Sequence, residues 1–126
     1  MRFEVTDADI ASTLGTGDVP VLATSRLVTW MEATTVSAAA DFLSDGETSV
    51  GIAVRVEHRR PTPLGGSVDI SAETSGPGAR RRLSFAVRAV DSSGELIGEG
   101  EIDRTIVERE PFVRRATATA GSGRAQ

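Results

Sequence analysis

Residues 50–70, VGIAVRVEHRRPTPLGGSVDI, decide the fold. Val50, Ile52, Val54, Val56 and His58 alternate with Gly51, Ala53, Arg55, Glu57 and Arg59, the period of a strand with one face turned to a core. The alternation stops at PTPLGG, residues 61–66. Each proline fixes its own φ and disfavours helix before it, and the glycines permit a tight reversal. Val68, Ile70 and Ala72 then resume the period of two.

Downstream, Leu83, Phe85, Val87 and Ala89 mark a further strand. The turn Asp91-Ser92-Ser93-Gly94 leads into a last one, Leu96 to Glu108. Short Gly/Pro/Ser connections of this kind argue for antiparallel neighbours. Upstream the period becomes helical, from about Ser25 to Leu43. Val28, Val36, Ala39 and Leu43 line one stripe; Leu27, Met31, Ala38 and Phe42 line the next. Thr24 or Ser25 is placed to cap this helix, and Gly46 follows its end. Glu32 is its only charge between Arg26 and Asp41. A helix so apolar is one that other structure wraps.

LGTGDVP, residues 14–20, reads as a loop. A short strand from Arg2 to Val5 completes the sheet, and EPFVRRA has the length of one or two helical turns. The expected class is α+β, an antiparallel sheet curled round one long helix. The domain spans residues 1–115, and ATATAGSGRAQ, residues 116–126, reads as a disordered tail.

Composition narrows the function. The 126 residues suit one domain with one core. No apolar run reaches the ~18 residues of a membrane span, and MRFEVTDAD lacks the apolar stretch of a signal peptide. The expectation is a cytoplasmic protein with no membrane partner. Without cysteine there are no disulfides, thiolate metal sites or cysteine nucleophiles. With one histidine besides, no metal is expected. All 14 basic residues are arginine, so lysine Schiff-base chemistry is excluded. A net charge of −4 argues against nucleic acid despite the run Arg80-Arg81-Arg82. The bias toward Ala, Gly and Arg points to a GC-rich bacterial genome.

Four polar residues stand out. Glu32 sits between Val28 and Val36; either it reaches water at an edge, or it is paired for chemistry. His58 ends an apolar face, as a packed core imidazole or as an acid or base near neutral pH. Thr24 is a helix cap or part of a pocket at the helix N-terminus, where backbone N–H groups hold oxyanions. Eight helical steps from Thr24 to Glu32 give a net rotation of about 80°, which lets both flank one pocket. Arg104, among Ile102, Thr105 and Ile106, is an exposed strand arginine or a partner for a carboxylate or a phosphate-bearing substrate.

Together VLATSRLVTWMEA, TSVGIAVRVEHRRPTPLGG and GEGEIDRTIVEREPF resemble the hotdog-fold thioesterases, specifically the fluoroacetyl-CoA thioesterase group, from about Asp18 to Phe112. The resemblance implies a hotdog fold and a homodimer with its active sites at the interface. It implies acyl thioester hydrolysis, with coenzyme A or a carrier-protein pantetheine as part of the substrate and no separate cofactor. Carried over residue by residue, it makes Thr24, Glu32 and His58 catalytic and Gly51 and Arg104 substrate-binding. Glu32 would attack the carbonyl or activate water, and His58 would move protons and orient the leaving thiolate. Thr24 would hydrogen-bond the carboxylate or act as nucleophile. The fluoroacetyl-specific member carries lid phenylalanines just before the A-T motif, whereas LGTGDVPVL has none, so a different acyl group is expected. The competing readings are an acyl-thioester-binding protein without turnover and a hotdog hydratase or dehydratase.

Overall fold

The computed structural model describes residues 1–124. Its strands are β1 (Arg2–Glu4), β2 (Glu47–His58), β3 (Ser67–Glu73), β4 (Arg82–Asp91) and β5 (Leu96–Glu108). Its α-helices are α1 (Ala11–Leu14), α2 (Thr24–Ala39) and α3 (Arg109–Arg124). The strands form one antiparallel sheet in the order β1-β3-β4-β5-β2. The inner face carries Val68 and Ile70, then Leu83, Phe85, Val87 and Ala89, then Ile102 and Ile106, all buried. Against it α2 sets Leu27, Met31 and Ala39, at 0% exposure each. The sheet curled round a helix is the architecture the sequence implies.

Three local expectations change. First, β2 and β3 are not neighbours; β2 pairs with β5 and forms an edge of the sheet. The connection of residues 59–66 crosses the ends of β5 and β4, three strand spacings of about 4.8 Å, within reach of an extended segment of that length. It is tied down on the way: the Leu22 N–H donates to the Thr62 carbonyl at 2.8 Å, and Val21 bridges to Pro63. Second, Thr24 does not cap α2. The N-cap is Ala23, with no side-chain cap bond, and Thr24 is the first helical residue. Third, α3 continues to Arg124, so residues 116–124 are helical where composition predicted a disordered tail. Residues 125 and 126 lie outside the described residues.

The feature that shapes the site is a β-bulge. The pairing of β2 with β5 shifts between Gly51 and Ala53, leaving Ile52 as the extra residue. Beyond it Val54, Val56 and His58 stand opposite Ile102, Gly100 and Gly98; before it Gly51 and Ser49 stand opposite Arg104 and Ile106. Paired residues share a face, so the inner face of β2 carries Ser49, Gly51, Val54, Val56 and His58. Plain alternation had put Val50 and Ile52 inside. Instead Val50 turns outward and Ile52 is 48% exposed.

Two glycines of β5 let β2 wrap inward. A Cβ on Gly100 would stand 1.9 Å from the Arg55 carbonyl oxygen, and one on Gly98 would stand 2.9 Å from Leu27 Cδ2. Only glycine fits at 100, and at 98 a side chain would press on the end of Leu27. No helix among the described residues is long and apolar enough to cross a membrane.

Candidate active site

The five candidate residues fall into two groups at different places on α2 and β2. The first lies where α2 begins and β2 ends. Thr24 Oγ1 is 2.8 Å from His58 Nδ1. Because Ala23 takes the N-cap position without using a side chain, the threonine hydroxyl is available for the imidazole. His58 Nε2 is buried and has no hydrogen-bond partner among the described residues. Burial holds the His58 pKa below its ordinary 6.5, and the backbone of Arg60 opposes this more weakly. At neutral pH the ring is therefore uncharged and able to accept a proton.

A cleft of about 320 Å³ opens beside this pair. Ala11, Val19, Val21, Leu22 and Ala23 form its apolar wall, and Arg59 and Arg60 stand at its rim. No phenylalanine or tryptophan among the described residues lines it.

The second group lies at the middle of α2 and the bulged half of β2. Glu32 Oε2 is 4.0 Å from Arg104 Nη1. Arg104 is buried, not an exposed strand arginine. Its Nε donates to Ser49 Oγ at 2.8 Å and its Nη2 to the Ser49 carbonyl at 3.0 Å. Burial lowers its pKa and the Glu32 charge raises it, and a guanidinium so placed remains a cation. Glu32 itself is half-exposed, with 41% of its side-chain surface open. Its Oε2 fills the space above Gly51, where an added Cβ would come within 2.8 Å. Gly51 is thus a glycine because a carboxylate occupies the place of its side chain.

No hydrogen bond or ion pair joins Glu32 to Thr24 or His58 among the described residues. Along α2 the two groups are separated by eight residues, about 12 Å of rise. Along β2, Gly51 and His58 are seven residues apart, about 20 Å. Thr24 bonds the imidazole rather than the carboxylate. Ser49, which fixes Arg104, escaped the sequence reading because plain alternation turns it outward; only the bulge brings it in. Gly98 and Gly100 were legible in principle, since glycines inside a strand mark a close backbone approach.

A curled antiparallel sheet with one long helix packed against it is the hotdog fold, shared with solved thioesterases. A family model for the fluoroacetyl-CoA-specific thioesterases matches residues 5–110, and the chain belongs to that family. It is 40% identical over 92 residues to a fluoroacetyl-CoA thioesterase of Streptantibioticus cattleyicolor; the match spans 73% of this chain and 65% of that relative. Among solved structures, a variant of the fluoroacetyl-CoA-specific thioesterase in complex with fluoroacetate and CoA superimposes with a TM-score of 0.84 at 32% identity, covering 94% of this chain and 96% of that one. A Thermus thermophilus thioesterase superfamily member has a TM-score of 0.91 at 24% identity, covering 100% and 92%, which speaks to the fold.

Proposed function

We propose that the chain is an acyl thioesterase that hydrolyses a small acyl group from coenzyme A or from a carrier-protein pantetheine. The observation that carries the reading is the neutral hydroxyl–imidazole pair of Thr24 and His58 beside an apolar-walled cleft. The family membership and the CoA complex of a relative support it.

The working unit is a homodimer. β2 is a twelve-residue edge strand with Ile52 and Val54 exposed at 48% and 42%, and Val36 of α2 is exposed at 50%. A long apolar edge of this kind is one that another strand covers. Antiparallel pairing of two β2 edges about a two-fold axis brings the His58 end of one protomer toward the half of the other strand that holds the partner's Gly51. The neutral pair of one subunit then faces the Glu32–Arg104 group of the other. Each active site is built from two halves, which explains why a single protomer keeps them about 12 Å apart along α2.

In this site the thioester lies between the halves. The Glu32 carboxylate attacks the carbonyl carbon or takes the proton of an attacking water. The first backbone N–H groups of α2 lack intrahelical partners and face the oxyanion. Thr24 holds the His58 ring by Nδ1, so Nε2 exchanges the proton with the leaving sulfur. By the water route the proton taken by Glu32 passes through His58 to the sulfur; by the attack route water then cleaves the acyl anhydride formed on Glu32; in both a free thiol and a carboxylic acid depart.

The test is thiol release from a panel of acyl-CoAs, run beside hydration of an enoyl-CoA. Release of free thiol without hydration is expected. Because no aromatic lid covers the cleft, acetyl-CoA and fluoroacetyl-CoA should be cleaved with kcat/KM values within about tenfold of each other, fluorine adding little volume. Hydration without thiol release would replace hydrolysis with hydratase chemistry.

A further inference from the structure

We infer that Ser49 is a positioning residue, whose hydroxyl clamps Arg104 so that the guanidinium presents Nη1 to the Glu32 carboxylate. The inference rests on the hydrolase reading for its kinetic arm only.

Arg104 is 6% exposed, so its charge is cut off from water and needs partners in the chain. Every hydrogen bond that its side chain makes among the described residues goes to Ser49: Nε to the hydroxyl at 2.8 Å, Nη2 to the carbonyl at 3.0 Å. These two contacts fix both the position and the rotation of a planar, rigid group. Once they are made, Nη1 points at Glu32 Oε2, 4.0 Å away. Arg104 has no such hold on Glu32 without the serine, because Gly51, the residue between, has no side chain to restrain either group.

The bulge at Ile52 is the backbone device behind this. In an unbroken strand His58 and Ser49 lie on opposite faces, since their separation is odd. The inserted residue reverses the alternation, so Ser49 and Gly51 join His58 on the inner face. One extra residue therefore delivers the clamp and the gap for the carboxylate together. The half-exposed Glu32 would otherwise sweep a range of rotamers, and a reacting carboxylate loses rate when its orientation is free.

The experiment compares Ser49→Ala and Ser49→Thr in the full chain. Steady-state kcat and KM are measured on the acyl-CoA cleaved fastest, and the Arg104 Nε–H signal is followed by ¹H–¹⁵N NMR. Ser49→Ala should lower kcat about tenfold, the size of one charge-assisted hydrogen bond, with KM close to wild type and the melting temperature lower by a few degrees because the buried Arg104 Nε loses its acceptor. Ser49→Thr, which keeps the hydroxyl, should restore kcat. The Arg104 Nε–H should be protected from solvent exchange in the wild-type and Ser49→Thr proteins and exchange rapidly in Ser49→Ala. A Ser49→Ala protein with wild-type kcat, or a loss that threonine does not restore, overturns the inference while leaving hydrolysis intact. If the wild-type chain cleaves no acyl thioester, the hydrolase reading falls, and the NMR comparison alone decides the clamp: equal protection in all three proteins refutes it.

Discussion

The two ends of β2 solve opposite problems with the same strand. At its C-terminal end His58 and Thr24 form an uncharged pair, and burial keeps the imidazole neutral. Seven residues earlier Gly51 makes room for a charged pair, Glu32 and the buried Arg104. The first end needs removal from water, because a proton acceptor near neutral pH must not already hold its proton. The second, in the proposed reaction, needs a fixed counter-charge that holds the carboxylate in one orientation. A single continuous environment serves neither purpose well. The bulge between them lets both groups face inward while keeping them apart in one protomer, and in the proposed dimer a second copy brings them together.

The largest effects should follow from removing either half. Glu32→Gln keeps shape and loses the charge, and His58→Ala removes the proton carrier. Each should lower kcat/KM by roughly 10²–10⁴-fold, the range for a positioned acid–base group, with a folded dimer retained on sedimentation. Wild-type turnover in a purified Glu32→Gln protein would show that the charged half is scaffolding. A smaller loss should follow Gly51→Ala. The new methyl would meet Glu32 Oε2 at 2.8 Å, and the end of a flexible side chain can move aside. Stability should therefore change by less than about 1 kcal/mol, while kcat falls because the displaced carboxylate no longer faces Arg104. A variant equal to wild type in rate would separate Gly51 from the reaction.

How far these contrasts could be read from the sequence depends on the residue. The curled sheet round a helix was legible because β4 alternates without interruption and α2 repeats its apolar positions every three to four residues. His58 was placed correctly on the inner face because no irregularity intervenes between Val54 and the strand end. Val50 and Ile52 were placed wrongly because a bulge leaves no mark in a period of two when the residues on both faces are small or apolar. The neighbours of β2 were also hidden: short connections favour hairpins, yet residues 59–66 cross the end of the sheet. Glu32 stood out as a charge in an apolar stripe, but its stripe is the half-open side of α2, with Val36 exposed. The distance between the two halves is a property of three dimensions, and no spacing in the chain states it.

The smallest effect distinguishes the ends by pH. The folded chain binds a proton at His58 less readily than the unfolded chain, whose imidazole titrates at its ordinary 6.5. The contribution of His58 to stability is therefore complete above that pH and is lost as pH falls below it. A modest drop in melting temperature between about pH 7 and pH 5 should be reduced in His58→Gln, where the ring is gone. Over the same interval kcat/KM should rise with pH as the imidazole loses its proton, with the midpoint of the rise below 6.5. A midpoint above 6.5 would mean that a group other than His58 carries the limb.

Mixing the two inactive variants tests the shared site most directly. Glu32→Gln and His58→Ala proteins are combined at equal concentration, unfolded, refolded together and assayed. If each site takes its carboxylate from one protomer and its imidazole from the other, a mixed dimer contains one site with both defects and one with neither. Random pairing makes half the dimers mixed, and half of their sites are whole, so recovery of roughly a quarter of wild-type activity is expected. If both groups act within one protomer, every site in every dimer carries a defect. Activity in the refolded mixture no higher than in the separate variants, with mixed dimers demonstrated by mass, would contradict the shared site.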